Sequence, residues 1–320
     1  MTGSETLPAH AAPDHPGSGA VAERPETLNR PMFEKVGLIA KHGDPRVGET
    51  LGRLVGLLRA RGREVVLDGR SRDARPDGSL PVVSREEIGW RCDLVVVVAG
   101  DGTFLGAART LVDRVVPLLG VNLGRVGFLT DVTPDEMSGR LNGILDGEFV
   151  EEGRFLLDVA VERNTVCVFS GTALNEAAIH KSSMARLVEF ETYIDRHFVN
   201  RQRSDGLIVA TPTGSTAYAL SGGGPIVHPS LDAIVLVPIC PHTLSSRPVV
   251  VGGDSVVEVV LGDEAESSIQ LSCDGETTLQ LGAGDRISIA KHRPALRLIH
   301  PAGHEYYATL RTKLHWGKGP

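Results

Sequence analysis

The stretch that decides the fold is DLVVVVAGDGTFLGAAR, Asp93 to Arg109. Four consecutive valines run into Ala-Gly-Asp-Gly-Thr, after which the pattern turns amphipathic. An unbroken apolar run of this kind fits a strand buried on both faces, as in parallel sheets covered by helices. The turn that follows would place a carboxylate, Asp101, where such a strand meets a helix N-terminus. Free N–H groups and the helix dipole favour anions there, and ligands collect at the carboxyl ends of parallel strands.

The flanking sequence supports this reading. Upstream, FEKVGLIAK predicts a strand, DPRVGETLGRLVGLLRARG a helix and REVVLD a second strand. Val47, Leu51, Leu54 and Leu58 mark the helix's apolar face. Downstream, VVPLLGVN predicts a strand and TPDEMSGRLNGILDG a helix. In that helix Thr133 is the expected cap, Pro134 opens the first turn and Glu136 completes a capping box. Met137, Leu141, Ile144 and Leu145 form its buried face. The alternation predicts an α/β domain with a parallel sheet over residues 32–148.

From Phe155 the rhythm changes to short segments with period-two alternation, such as RLVEFETYID, separated by Gly and Pro. This predicts a β-rich, sandwich-like domain over residues 149–320. Residues 1–31, rich in Pro, Gly, Ala and Ser without hydrophobic period, read as a disordered tail.

Composition narrows the function. The 320 residues are 41% hydrophobic and 23% charged, as in soluble globular proteins. A net charge of −7 argues against a nucleic-acid binder, while leaving room for a small anionic substrate at a local arginine cluster. The four cysteines are scattered without a C-x-x-C pair, which fits free thiols in a reducing cytoplasm. No apolar run is long enough to span a membrane, and no secretory signal pattern is present. The eleven histidines show no metal-ligand spacing.

Two common nucleotide fingerprints are missing. G-x-x-x-x-G-K-S/T does not occur, and Gly100, Gly102 and Gly106 are spaced one residue too far for G-x-G-x-x-G. A tight turn with Asp101 capping the next helix explains Gly-Asp-Gly as well as a ligand site does. A second feature is SDGLIVATPTGSTAYALSGGGP, Ser204 to Pro225, with Thr211, Thr213, Ser215 and Thr216 close together. Its hydroxyls suit sugar or phosphate oxygens, and Tyr218 suits stacking on a base. In TALNEAAIHK, Asn175 and Glu176 emerge from an apolar segment as a donor and acceptor pair suited to vicinal hydroxyls.

Taken together, AGDGTFL, ALNEAAIH, SDGLIVATPTGSTAYALSGGGPI and SCDGE resemble the NAD kinase family, in that family's order and spacing across about residues 33–316. The resemblance implies an N-terminal α/β domain, a C-terminal β-sandwich-like domain and an active site in the cleft between them. It implies transfer of phosphate from ATP, with a divalent metal (Mg²⁺ or Mn²⁺), to the 2′-hydroxyl of the adenosine ribose of NAD, giving NADP. By resemblance, Asp101 is the catalytic base and Gly102 lies beside it in the nucleotide site. Asn175 and Glu176 hold NAD, and Arg186, Arg203 and Asp205 fall at substrate-contact positions. So do Thr216, Ala217, Tyr218, Ala219, Leu220 and Ser221, and Glu276 occupies the place of a frequent Gln. No protein ligand is assigned to the metal, and the expected assembly is a homodimer or homotetramer with neither nucleic-acid nor membrane partners.

Two residues depart from the family pattern: Ala99 replaces the first glycine of Gly-Gly-Asp-Gly, and Glu276 replaces Gln. A left-handed backbone at position 99 would make alanine harmful, whereas extended backbone would make it nearly silent. A lipid kinase on the same plan, or a nucleotide sensor without turnover, are the competing readings. The Thr-rich loop speaks against the first and the intact Asp101 against the second.

Overall fold

The valine run lies at the centre of a seven-stranded sheet and is buried on both sides. The structure is a computed structural model that describes residues 32–76, 78–124, 127–181, 187–262 and 269–316. The expected N-terminal tail and Arg186 lie outside the described residues.

In chain order the first half runs β1 (Lys35–Ala40), α1 (Pro45–Ala60), β2 (Glu64–Asp68), β3 (Val82–Val83), α2 (Arg85–Arg91), β4 (Leu94–Val98), α3 (Asp101–Leu111), β5 (Leu118–Val121) and α4 (Met137–Leu145). Then follow β6 (Phe149–Arg154), β7 (Leu157–Arg163), β8 (Val166–Ala173), β9 (Glu176–Lys181), β10 (Val188–Ile194), β11 (His197–Ser204), β12 (Gly206–Ala210) and α5 (Tyr218–Ser221). The chain continues through β13 (Ala233–Ile239), β14 (Val249–Gly252), β15 (Val257–Leu261), β16 (Ile269–Cys273), β17 (Glu276–Leu281), β18 (Arg286–Lys291), β19 (Leu296–Pro301) and α6 (Tyr306–Leu314).

Within β4, alternate residues belong to different cores. Leu94, Val96 and Val98 pack with Leu51, Leu54 and Leu58 of α1 and Leu141 and Ile144 of α4. Val95 and Val97 pack with Ile88 of α2 and Phe104, Ala108 and Leu111 of α3. An apolar run without alternation is therefore what this strand needs. The expected cap of α4 is modified. Thr133 and Glu136 do contact each other, with the Glu136 N–H donating to Thr133 Oγ1 (3.4 Å) and the Thr133 hydroxyl donating to Glu136 Oε2 (3.2 Å). Residues 134–136, however, form a turn, and the helix begins at Met137.

The sheet order is β3-β2-β1-β4-β5-β19-β6, parallel except for the β19–β6 pair. The boundary expected near residue 148 falls between α4 and β6, but the sheet continues past it. Its last two strands come from 149–154 and 296–301, and residues 32–320 form one compact unit. The reason lies in β19: Leu298, Ile299 and His300 are all buried, so it needs cover on both faces and a neighbour on each edge.

The β-rich part consists of two six-stranded antiparallel sheets, β11-β10-β15-β18-β7-β8 and β14-β13-β12-β9-β16-β17. Val159, Phe190 and Ile289 of one pack with Ile179, Val209 and Leu271 of the other, giving the expected sandwich. TALNEAAIHK is split, with Leu174 and Asn175 joining β8 to β9. No helix among the described residues is long and apolar enough to cross a membrane.

Candidate active site

Asp101 is the first residue of α3, and Gly100 is the cap, contributing no side-chain bond. The carboxylate is thus not spent on capping its own helix. It faces the loop after β5 instead, where the Thr130 hydroxyl donates to Oδ1 (3.2 Å) and the Phe128 N–H lies 3.3 Å from Oδ2. Asn122 Nδ2 donates in turn to Thr130 Oγ1 at 2.7 Å. Gly127 permits this approach, because a Cβ there would overlap Asp101 Oδ1. Ala99 is fully buried, is not among the positive-φ residues, and donates its N–H to Val121 O as a strand residue would.

A cavity of about 490 Å³ lies along α3, lined among others by Arg70, Arg85, Gly102, Thr103, Arg109 and Glu276. Arg85 is held by a buried pair with Asp68 at 2.6 Å. Three guanidinium groups line this cavity along α3, Arg85 being paired with Asp68 and Arg109 with Asp274 and Glu276, so part of their charge is already balanced by carboxylates, while the first turn of the helix adds N–H groups that favour anions.

Arg109 also reaches across to the β16–β17 turn, meeting Asp274 at 2.8 Å and Glu276 at 2.7 Å. The Asp274 side chain is fully buried and accepts the backbone N–H groups of Leu174 (3.0 Å), Asn175 (2.7 Å) and Glu176 (3.3 Å). Sequence reasoning passed over Asp274, although the quoted SCDGE repeats the signal that exposed Asp101: an aspartate before glycine at the end of an apolar strand.

Asn175 is anchored from its other side as well, its carbonyl accepting Thr211 N–H at 2.9 Å. Gly214 lies so close that a Cβ would strike that carbonyl. The hydroxyl-rich segment divides by role. Thr211 donates to Leu174 O (2.6 Å), and Ser215 donates to Pro212 O and accepts Val227 N–H, both from buried positions. Thr213 accepts from Arg154 at 3.1 Å. Thr216, Ala217, Leu220, Tyr218 and Ser221 remain partly or fully exposed, whereas the Ala219 methyl is buried against Ile208 and Val235, leaving only its backbone for a ligand.

Glu176 is buried and its Oε2 has no hydrogen-bond partner among the described residues. Burial, reinforced by the Asp274 charge, pushes its carboxyl up to about 7, against a lowering by the Tyr218 N–H. The Tyr218 phenol is raised by burial and by the charges of Cys240, Glu176 and Asp205. Asp205 pairs with Lys181 at 2.6 Å. Arg203, on β11, is exposed and lies 3.7 Å from Glu189.

Residues 36–149 match the ATP-NAD kinase N-terminal domain and residues 174–301 the ATP-NAD kinase C-terminal domain. The chain belongs to the ATP-NAD kinase family. The NAD kinase of Hahella chejuensis is 51% identical over 285 residues, covering 89% of this chain and 96% of that protein. An NAD kinase from Archaeoglobus fulgidus, solved in complex with ATP, is 28% identical with a TM-score of 0.69, over 88% of this chain and 98% of that one. Yeast NADH kinase, solved with NADH, is 24% identical with a TM-score of 0.82 over 91% and 90% of the two chains, and shows the shared fold. As a member of this family the chain is a phosphotransferase.

One group of potential metal ligands occurs among the described residues, and it lies away from this cavity. Asp131, His300 and His304 have ligand atoms within 4.8 Å of one another. The two imidazoles stack at 4.0 Å with planes 18° apart, and both turn Nδ1 towards one carboxylate oxygen. His300 Nδ1 bonds Asp131 Oδ2 at 2.7 Å, and His304 Nδ1 lies 2.8 Å from the same oxygen, so the cluster is a hydrogen-bonded one.

Proposed function

We propose that the protein transfers the γ-phosphoryl group of ATP to the 2′-hydroxyl of the adenosine ribose of NAD, producing NADP. The observation that carries this reading is Asp101, fixed at the N-terminus of α3 by Thr130 and Phe128 beside an arginine-lined cavity. Transfer to an alcohol needs an oriented hydroxyl, cationic groups on the donor phosphates and a place for the proton. The cavity, with Gly102 and Arg109, receives the ATP phosphates. The divalent metal arrives on those phosphates as part of the substrate, which suits an ion that keeps few protein ligands. NAD lies along Asn175, Glu176 and the exposed residues of Thr216–Ser221, with Asp205 beyond Tyr218.

In the loose transition state of phosphoryl transfer the proton leaves late. Asp101 therefore acts first by orienting the ribose hydroxyl, accepting its proton as the phosphorus–oxygen bond forms. Glu276 is held by Arg109, so its carboxylate substitutes for a neutral side chain without leaving an unpaired charge. Incubation with ATP, Mg²⁺ and NAD, followed by a dehydrogenase specific for NADP, tests the reading together with its regiochemistry. Tight NAD binding without product would reject it in favour of a sensor.

A further inference from the structure

A buried polar chain leads from the Asp101 loop to the hydroxyl-rich loop. Thr130, bonded to Asp101, is followed by Asp131, whose Oδ2 accepts from His300 Nδ1 at 2.7 Å. On its far side, His300 Nε2 faces Glu152 Oε2 at 3.2 Å, within ion-pair distance though short of hydrogen-bond alignment. The same Glu152 oxygen accepts from Arg154 Nη2 (2.8 Å), and Arg154 Nη1 donates to Thr213 Oγ1 (3.1 Å). Thr213 O then accepts the Thr216 hydroxyl at 3.2 Å. His300 and Arg154 are almost wholly buried, with side chains 1% and 4% exposed.

We propose that His300 is a positioning residue for phosphoryl transfer, holding the loop that fixes Asp101 in register with the loop that carries Thr216–Ser221. This inference rests on the kinase reading above. β19 is the strand that returns from the β-rich half into the first sheet, between β5 and β6. Its His300 is thus placed to join the loop after β5 to Arg154 at the end of β6.

The charges fit that duty. Burial alone would push the His300 imidazole down, but its bond to Asp131 and its contact with Glu152 outweigh this and push it up to about 9. Burial would raise Glu152, yet His300 and Arg154 bring it down to about 2, and Asp131 is held well below the usual carboxylate range against its own burial. Alternating charges with few solvent contacts tie each group to the next, through hydrogen bonds except at the His300–Glu152 ion pair. Asp131, His300, Glu152 and Arg154, the middle of the chain, are not among the proposed substrate-contact residues, so their contribution is alignment.

The test compares full-length wild type with His300→Leu, His300→Asn and Glu152→Gln, each also combined with Asp101→Asn. kcat and the KM for NAD are measured with ATP and Mg²⁺, and folded fraction is measured by thermal melting. His300→Leu is expected to lower kcat about 10- to 100-fold per folded molecule, with KM changed less than about threefold. His300→Asn, which keeps a donor towards Asp131, recovers part of that loss. In the Asp101→Asn background His300→Leu adds less than about a twofold loss, because its effect passes through Asp101. If His300→Leu does not fold, His300→Asn and Glu152→Gln carry the same comparison. Unchanged kcat in the folded variants, or losses that multiply in the double variants, would overturn the proposal. Absence of NADP from the wild type would instead overturn the kinase reading.

Discussion

Arg109 and Asp274 are 165 residues apart and meet at 2.8 Å, joining the helix that begins at Asp101 to the aspartate that grips Leu174, Asn175 and Glu176. One ion pair thereby connects the proposed phosphate-binding side of the site to its proposed NAD-binding side. Removing one partner of a buried pair strands the other, which costs far more than the intact pair contributes. Arg109→Leu is therefore expected to lower unfolding free energy by about 3 kcal/mol or more and to raise the KM for NAD. Urea unfolding and initial rates check both. A change confined to the KM for ATP would show that the pair does not set the Asn175–Glu176 geometry.

Asp101→Asn should fold normally, since one amide oxygen still accepts from the Thr130–Phe128 loop. Its kcat should fall by about a hundredfold or more, with NAD binding retained. Single-turnover product formation beside equilibrium titration of NAD separates the two. Near-normal turnover would remove Asp101 from the catalytic role.

Gly127 and Ala99 make opposite predictions. A methyl at Gly127 would press on Asp101 Oδ1, so Gly127→Ala should reduce kcat by about a hundredfold through misalignment. Ala99 has ordinary strand-like bonding and its methyl is buried, so Ala99→Gly should leave kcat within about twofold and cost about 1 kcal/mol of stability. Parallel rate and melting measurements on the two variants decide whether the departure from Gly-Gly-Asp-Gly is silent.

Glu176 supplies a pH signature. Its folded value of about 7 lies above the ordinary 4.5, so its protonated form is favoured by folding. Its stabilising share is full below about 4.5 and is lost as pH rises through about 7. The difference in stability between wild type and Glu176→Gln should therefore shift against wild type between about pH 4.5 and about pH 7. A difference independent of pH would show that the carboxyl is not held in its neutral form.

The sequence made some of this legible and concealed the rest for identifiable reasons. The β4 valines and the spacing of Val47, Leu51, Leu54 and Leu58 are local signals of burial, and they were readable as such. The place of Asp101 at the junction of strand and helix was readable too, because Gly-Asp-Gly follows the strand directly. Asp274 was hidden because its three N–H donors come from positions about a hundred residues earlier. β6 and β19 were hidden because a strand's own pattern says how many faces are buried and not which sheet it joins. Ala219 shows a limit within a motif: the run Thr216–Ser221 reads as one ligand loop, yet a short helix turns one of its methyls into the core.

The late return of β19 also governs how such a chain can be made. During synthesis, the strand that pairs with the free edge of β5 leaves the ribosome only after about 180 further residues, so β5 waits with an open apolar edge. A fragment ending at residue 148 would keep that edge for good and would be expected to aggregate. Fragments cut at that point could restore activity only if the second supplied both β6 and β19 to the first, so the visible change of rhythm in the sequence is a poor place to divide the gene.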